Sequence, residues 1–313
     1  MPFDLRSPIT EAELARLDGR PEVVQFSSAL TDADYALLGE WFAGQPAKTL
    51  RAYGSYDGTI TDLDFLRYFP SVRSFRADAL SHSLANIDGL NYLPEDVHFI
   101  GLGQTKKELS LAPLSRFRKL RQIDLEGQSK DIEVISDLRE LRSVTLRSIT
   151  LPDLSLLVPL PDLRALDLKL GGTKNLDLLP DLRALEYLEL WLVKGLSDLS
   201  PIAPMPRLEY LFLQALRQVE ILPVMTELAN LRSLWLETMK GLTDLAPIRA
   251  APGLRQLAVV DMSHLQPEAF APLAGHPTLE SVRFGLGSKR KNDAVERLIG
   301  PPREGDWRKP PAD

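Results

Sequence analysis

Apolar residues follow the order L-x-x-L-x-L from Leu185, in LEYLEL, and that order returns along most of the chain. LEYLFL begins at Leu208, LRSLWL at Leu231, LRQLAV at Leu254 and LESVRF at Leu279. Upstream come LRALDL at Leu163, LRSVTL at Leu141, LRQIDL at Leu120 and VHFIGL at Val97, with looser copies at Val72 and Leu50. Successive starts lie 21 to 25 residues apart. That period marks a repeat whose units bury their apolar faces by stacking. Alternation within each unit predicts a short strand with its leucines on one face and every second residue on the other.

The second half of the unit also recurs: GLSDLSPI (195–202) matches GLTDLAPI (241–248). Its Asp-Leu-x-Pro-Ile ending predicts a short turn or 3₁₀ segment, because proline fixes φ and removes a donor. Further prolines precede strands at Pro161, Pro206, Pro252 and Pro277, so much of the chain's proline content is punctuation of the repeat. Outside it, PEVVQFSS (21–28) predicts a strand. TDADYALLGEWF (31–42) predicts an amphipathic helix with Thr31 or Asp32 as N-cap. At the other end Asn292 is the predicted cap of a short helix DAVERLIG, with GSKRKND (287–293) as a solvated loop before it. PPREGDWRKPPAD (301–313), which contains Trp307, has the composition of a disordered tail. The predicted organisation is an N-terminal capping strand and helix (1–49), a solenoid (50–285), a C-terminal cap (286–300) and the tail (301–313).

The pattern resembles the short-repeat, internalin-like bacterial branch of the leucine-rich-repeat superfamily. The resemblance implies an α/β repeat solenoid: a leucine-rich-repeat horseshoe with a parallel concave sheet and short 3₁₀ or turn segments on the convex side. It also implies a surface for binding macromolecules. One departure stands out. Where that family places Asn, three residues after the last strand leucine, this chain has Gly171, Val193, Leu216, Met239 and Met262. Without an Asn ladder, the turn is expected to close through backbone bonds.

Outward residues of successive strands should stack in columns. The third position runs Gln122, Ser143, Ala165, Tyr187, Tyr210, Ser233, Gln256. The fifth runs Asp124, Thr145, Asp167, Glu189, Phe212, Trp235, Ala258, and the seventh Glu126, Arg147, Lys169, Trp191, Gln214, Glu237, Val260. Aromatics gather in three consecutive units: Tyr187 and Trp191, Tyr210 and Phe212, then Trp235, with Glu189 and Glu237 beside them. Clustered Trp and Tyr with a polar rim have the character of a protein-binding hot spot. Cross-strand packing of aromatics is the competing explanation, and a tail folded back over the rings ranks below both.

The remaining chemistry narrows the class. A net charge of −6 argues against a nucleic-acid binder and gives no support for a membrane surface. The absence of cysteine removes disulfides, thiolate nucleophiles and Cys-ligated zinc. It also removes the catalytic residue that a leucine-rich-repeat ubiquitin ligase of the bacterial effector kind would need. The four histidines, His82, His98, His264 and His276, have no metal-site spacing, and no P-loop or nucleophile elbow occurs. No basic-then-apolar leader opens the sequence, which suggests the cytoplasm or export by a route that reads no Sec-type signal.

These observations predict a non-enzymatic protein–protein interaction module without cofactor or metal, a monomer or weak dimer. Its protein partner would dock on Tyr187, Glu189, Trp191, Tyr210, Phe212, Trp235 and Glu237. Inhibitor, immunity and regulatory roles are all open. The alternatives are a self-assembling scaffold, or a carbohydrate or small-ligand binder that stacks on the aromatics and uses Glu189 and Glu237 for hydroxyls.

Overall fold

A computed structural model describes residues 3–17, 19, 22–54, 56–80, 83–303 and 305. The chain forms two compact units, Met1–Val144 and Thr145–Asp313.

Unit 1 opens with β1 (Phe3–Leu5) and α1 (Glu11–Ala15), neither of which the repeat pattern announces. β2 (Val23–Phe26) and α2 (Asp32–Ala43) follow, with Thr31 as N-cap accepting from the Asp34 N–H. β3 (Thr49–Tyr53), β4 (Ser74–Asp78), β5 (Phe99–Leu102) and β6 (Gln122–Glu126) complete the strands of this unit. β1 to β6 pair in chain order, all parallel. Beneath α2 the core is aromatic: Tyr35 stacks on Phe65 at 5.3 Å, and Phe26 meets both edge-on. Burial pushes the Tyr35 phenol up to about 12, and its oxygen accepts from the Leu30 N–H.

β7 (Ser143–Arg147) carries the boundary between the units. Unit 2 continues with β8 (Ala165–Lys169), β9 (Tyr187–Trp191), β10 (Tyr210–Gln214), β11 (Ser233–Glu237), β12 (Gln256–Val260) and β13 (Ser281–Phe284). β8 to β13 are again parallel and in chain order. The strand leucines are buried throughout; in the Leu185 coil, Leu185, Leu188, Leu190, Leu196 and Leu199 are all within the core. A fully buried leucine contributes roughly 1.5–3 kcal/mol, so the repeated core dominates stability. The predicted turns are 3₁₀ segments at Ser200–Ile202 and Ala246–Ala250. The chain is a leucine-rich-repeat solenoid with parallel strands and short 3₁₀ returns.

The turn that replaces the Asn ladder has a specific geometry. Leu170, Leu192, Ala215, Thr238 and Asp261, each directly after a strand, adopt φ between 51° and 59°. This left-handed turn costs roughly 1–2 kcal/mol for a residue with a Cβ. It lets successive coils bond through backbone: Leu170 N–H donates to Trp191 O at 2.9 Å, Leu192 to Gln214 O at 2.8 Å and Ala215 to Glu237 O at 2.9 Å. The following residue then points inward, which is why Val193, Leu216, Met239 and Met262 are buried. Unit 1 keeps a side-chain version in the coil of β6. Buried Gln128, at the ladder position, accepts from Leu109 N–H and donates to Gly103 O and Thr105 Oγ1.

The C-terminal end departs from the sequence reading. α3 spans Lys289–Ile299 with Ser288 as N-cap, so the supposed loop GSKRKND supplies most of the first turns and Asn292 lies inside the helix. From within the helix Asn292 instead accepts from the Leu286 N–H. Lys291 anchors the early start by donating to the Ser263 and Leu265 carbonyls at 2.7 and 2.8 Å. Beyond α3, Arg303 N–H bonds Val282 O beside β13. His82, Trp307 and most of the expected disordered tail lie outside the described residues.

Candidate functional site

All seven candidate residues lie in unit 2, and strand register places them in the expected columns. Tyr187 pairs with Tyr210 and then Ser233; Glu189 with Phe212 and then Trp235; Trp191 with Gln214 and then Glu237. Parallel strands about 4.8 Å apart make each column a row of neighbouring side chains.

The rings make two contacts along the sheet. Phe212 and Trp235 stack with centroids 5.7 Å apart at 20°, and Tyr187 tilts against Tyr210 at 6.4 Å. Two guanidiniums flank them. Arg147 lies over Trp191 at 5.5 Å, and Arg283 lies over Trp235 at 5.7 Å. Arg283 reaches Trp235 across Ala258, which intervenes in the register and is small and buried.

The polar heads are tied down from within. Trp235 Nε1 donates to Glu237 Oε2 at 2.8 Å, and Gln214 Nε2 donates to Glu237 Oε1 at 2.6 Å. Tyr187 Oη donates to Glu189 Oε2 at 2.8 Å, and Lys169 Nζ lies 3.1 Å from the same oxygen. Trp191, Tyr210, Phe212 and Trp235 remain half-buried. Tyr187 differs: it is 7% exposed, closed over by its neighbours, so it supports the patch rather than offering a free ring.

Asp167 and Lys169 join this cluster. Asp167 is fully buried although it faces out from β8; Thr145 Oγ1 donates to its Oδ2 at 3.1 Å, and Lys169 Nζ lies 3.4 Å from its Oδ1. Two carboxylates, Asp167 and Glu189, thus compete for one ammonium. Burial, then the hydrogen bond and charge of Asp167, hold the Glu189 carboxyl above its usual range, against the pull of Lys169 and Tyr187. Burial opposes the Lys169 charge, but Asp167 and Glu189 outweigh it and hold that ammonium above its ordinary value. Burial first, then the same two carboxylates, push the Tyr187 phenol up. The available signal was adjacency, since Asp167 precedes Glu189 in the fifth column and Lys169 precedes Trp191 in the seventh.

The sheet face of unit 1 contrasts with this one. There Arg51 clamps Asp78 through two bonds of 2.7 and 2.8 Å, and Arg76 crosses Gly101 to Asp124. Along the strand edge of unit 2, arginines and glutamates pair across rungs: Arg164 with Glu186, Arg232 with Glu209, Arg255 with Glu280. Exposed pairs of this kind contribute roughly 0–1 kcal/mol each. Among the described residues no group of three or more His, Asp or Glu is placed to hold a metal ion. No helix among them is long and apolar enough to cross a membrane.

No family profile matches the sequence, and no curated protein does. Among solved structures, the chain is similar to an internalin of Listeria monocytogenes. Identity is 16% and the TM-score 0.53, over 88% of this chain and 76% of that one. Internalin C2 of the same species aligns at 19% identity and a TM-score of 0.40, over 82% of this chain and 84% of that one. A leucine-rich-repeat protein of Leptospira interrogans aligns at 13% and 0.41, over 96% and 98%. The likeness to the first of these is one of fold, the leucine-rich-repeat fold.

Proposed function

We propose that the chain is a non-enzymatic interaction module that docks a protein partner on the sheet face of unit 2, around Trp191, Tyr210, Phe212 and Trp235. Tyr187, Glu189 and Glu237 hold those rings in place. The carrying observation is the Phe212–Trp235 stack, pinned at its indole N–H by Glu237 and only half-buried. Rigid, partly exposed aromatics whose polar atoms are already satisfied offer apolar contact area at little entropic cost.

The same bonds weaken the carbohydrate reading. Glu189 and Glu237, the carboxylates that would serve sugar hydroxyls, already accept from Tyr187, Gln214 and Trp235.

Affinity capture from the source cells tests the proposal. The native chain is compared with Trp191→Ala plus Trp235→Ala and with a control altered on unit 1, Arg67→Ala. Loss of one captured protein with the double variant alone supports the assignment; its retention defeats it.

A further inference from the structure

Arg283, on β13, is exposed, and its guanidinium carbon lies 5.7 Å from the Trp235 ring centroid. Covering a ring uses none of the five N–H donors of an arginine. Among the described residues no carboxylate pairs with it. Beside it, the outward positions of β12 and β13 hold Gln256, Ala258, Val260 and Ser281, none of them acidic. Other cations facing out from the strands are neutralised within the fold. Arg51 clamps Asp78, Arg76 bonds Asp124, and Lys169 pairs with Asp167 and Glu189. Glu237, on β11, does not serve Arg283, because its two oxygens accept from Trp235 and Gln214.

We infer that the protein segment docking on this face is acidic: an Asp or Glu side chain bonds Arg283, while an apolar side chain one or two positions away packs on the Phe212–Trp235 stack. Charge complementarity carries the assignment. A guanidinium forks onto a carboxylate through two parallel N–H···O bonds. The indole beside it shields that contact from water, where a charge-assisted bond is stronger. Two residues of extended chain advance about 6.6–6.8 Å, so one segment reaches both the ring and the guanidinium. Glu237 sets the direction, since it repels a second carboxylate: the acid falls on the β13 side of the rings and the apolar residue on the β11 side. A basic partner is disfavoured, because Glu189 and Glu237 already accept from within the fold. A nucleic-acid phosphate backbone would need a row of cations, on a chain whose net charge is −6.

This inference rests on the reading of the face as a protein-docking surface and names the chemistry of the partner. A library of random linear peptides, displayed through their C-termini so that only side chains carry carboxylates, is panned on the full chain. Recovered peptides are then measured against Trp235→Ala, Arg283→Gln and Arg283→Glu. Peptides that lose affinity for Trp235→Ala should carry an Asp or Glu within two positions of an apolar residue. They should bind Arg283→Gln roughly 10- to 100-fold more weakly. Arg283→Glu should prefer the same peptide with that acid changed to Lys. Should Arg283→Gln misfold, changing the peptide's acid to its amide reads the same contact on the native chain. Trp235-dependent peptides without an enriched acid, or with equal affinity for Arg283→Gln, would overturn the inference and leave the docking face standing. Recovery of no Trp235-dependent peptide would overturn both. Self-association of the native chain that Arg283→Gln abolishes, read by sedimentation, would assign the guanidinium to a second copy and overturn the inference as well.

Discussion

Trp235 donates its indole N–H to Glu237 Oε2 across 2.8 Å, two residues along the same strand, and this bond holds the indole parallel to Phe212. Glu237 also accepts from Gln214 on the neighbouring strand, so one carboxylate fixes the stack from both rungs. Replacing it frees the ring without removing it. Glu237→Ala should cost about 1–3 kcal/mol of stability, as two charge-assisted bonds are lost. It should also red-shift and broaden Trp235 emission, isolated by replacing the other tryptophans with Phe. An unchanged spectrum would show that packing alone orients the indole.

The left-handed turn predicts opposite outcomes at adjacent positions. Val193 is buried where related repeats carry Asn, and here backbone bonds already satisfy the turn. Val193→Asn should therefore destabilise by about 1–3 kcal/mol, the cost of an unpaired buried amide. Leu192, at φ 51° and 38% exposed, is the strained residue. Leu192→Asn should stabilise by up to about 1 kcal/mol, because Asn tolerates that conformation. Urea unfolding of both variants checks the pair; stabilisation by Val193→Asn would restore the conventional ladder.

Glu189 predicts a pH dependence. Its folded carboxyl holds a proton more tightly than the unfolded one, because burial and Asp167 disfavour its charge. Between the ordinary carboxylate pKa of about 4.3 and the raised value, the folded state carries more protons. Stability contributed by this group therefore falls as pH rises through that window. Glu189→Gln should remove this slope and gain stability relative to the native chain above the window. Urea midpoints measured from pH 4 to pH 8 decide; parallel curves for the two proteins would contradict the cluster.

In unit 1, Gly101 lets Arg76 lie across β5 to Asp124; a Cβ there would stand 2.7 Å from Arg76 Nε. Gly101→Val should displace Arg76 and cost about 1–3 kcal/mol through overpacking. Gly101→Val combined with Arg76→Ala should recover part of that loss. A double-mutant cycle on thermal unfolding reads the coupling, and strict additivity would refute it.

Much of this architecture is legible in the sequence, because side-chain period 2 and a repeat of 21 to 25 residues fix which residues face in. The register of Tyr187, Tyr210 and Ser233 follows from counting. The left-handed residues do not, since nothing in Leu170 or Leu192 signals positive φ; only the neighbouring coil's carbonyl reveals why it is adopted. Nor does the start of α3, since the basic run from Lys289 reads as a solvated loop and only the Lys291 bonds to the Ser263 and Leu265 carbonyls show why it is helical. Of the site, the aromatic columns were legible, but the burial of Tyr187 and the convergence of Asp167, Lys169 and Glu189 were not. Those depend on side-chain lengths and directions across three rungs.

The most direct test of the docking face is a titration of the captured partner against the native chain and Trp235→Ala. A ring at the centre of the interface should account for about 2 kcal/mol or more, a roughly 30-fold rise in Kd. An equal Kd for the two proteins, with Trp235→Ala still folded, would contradict the account.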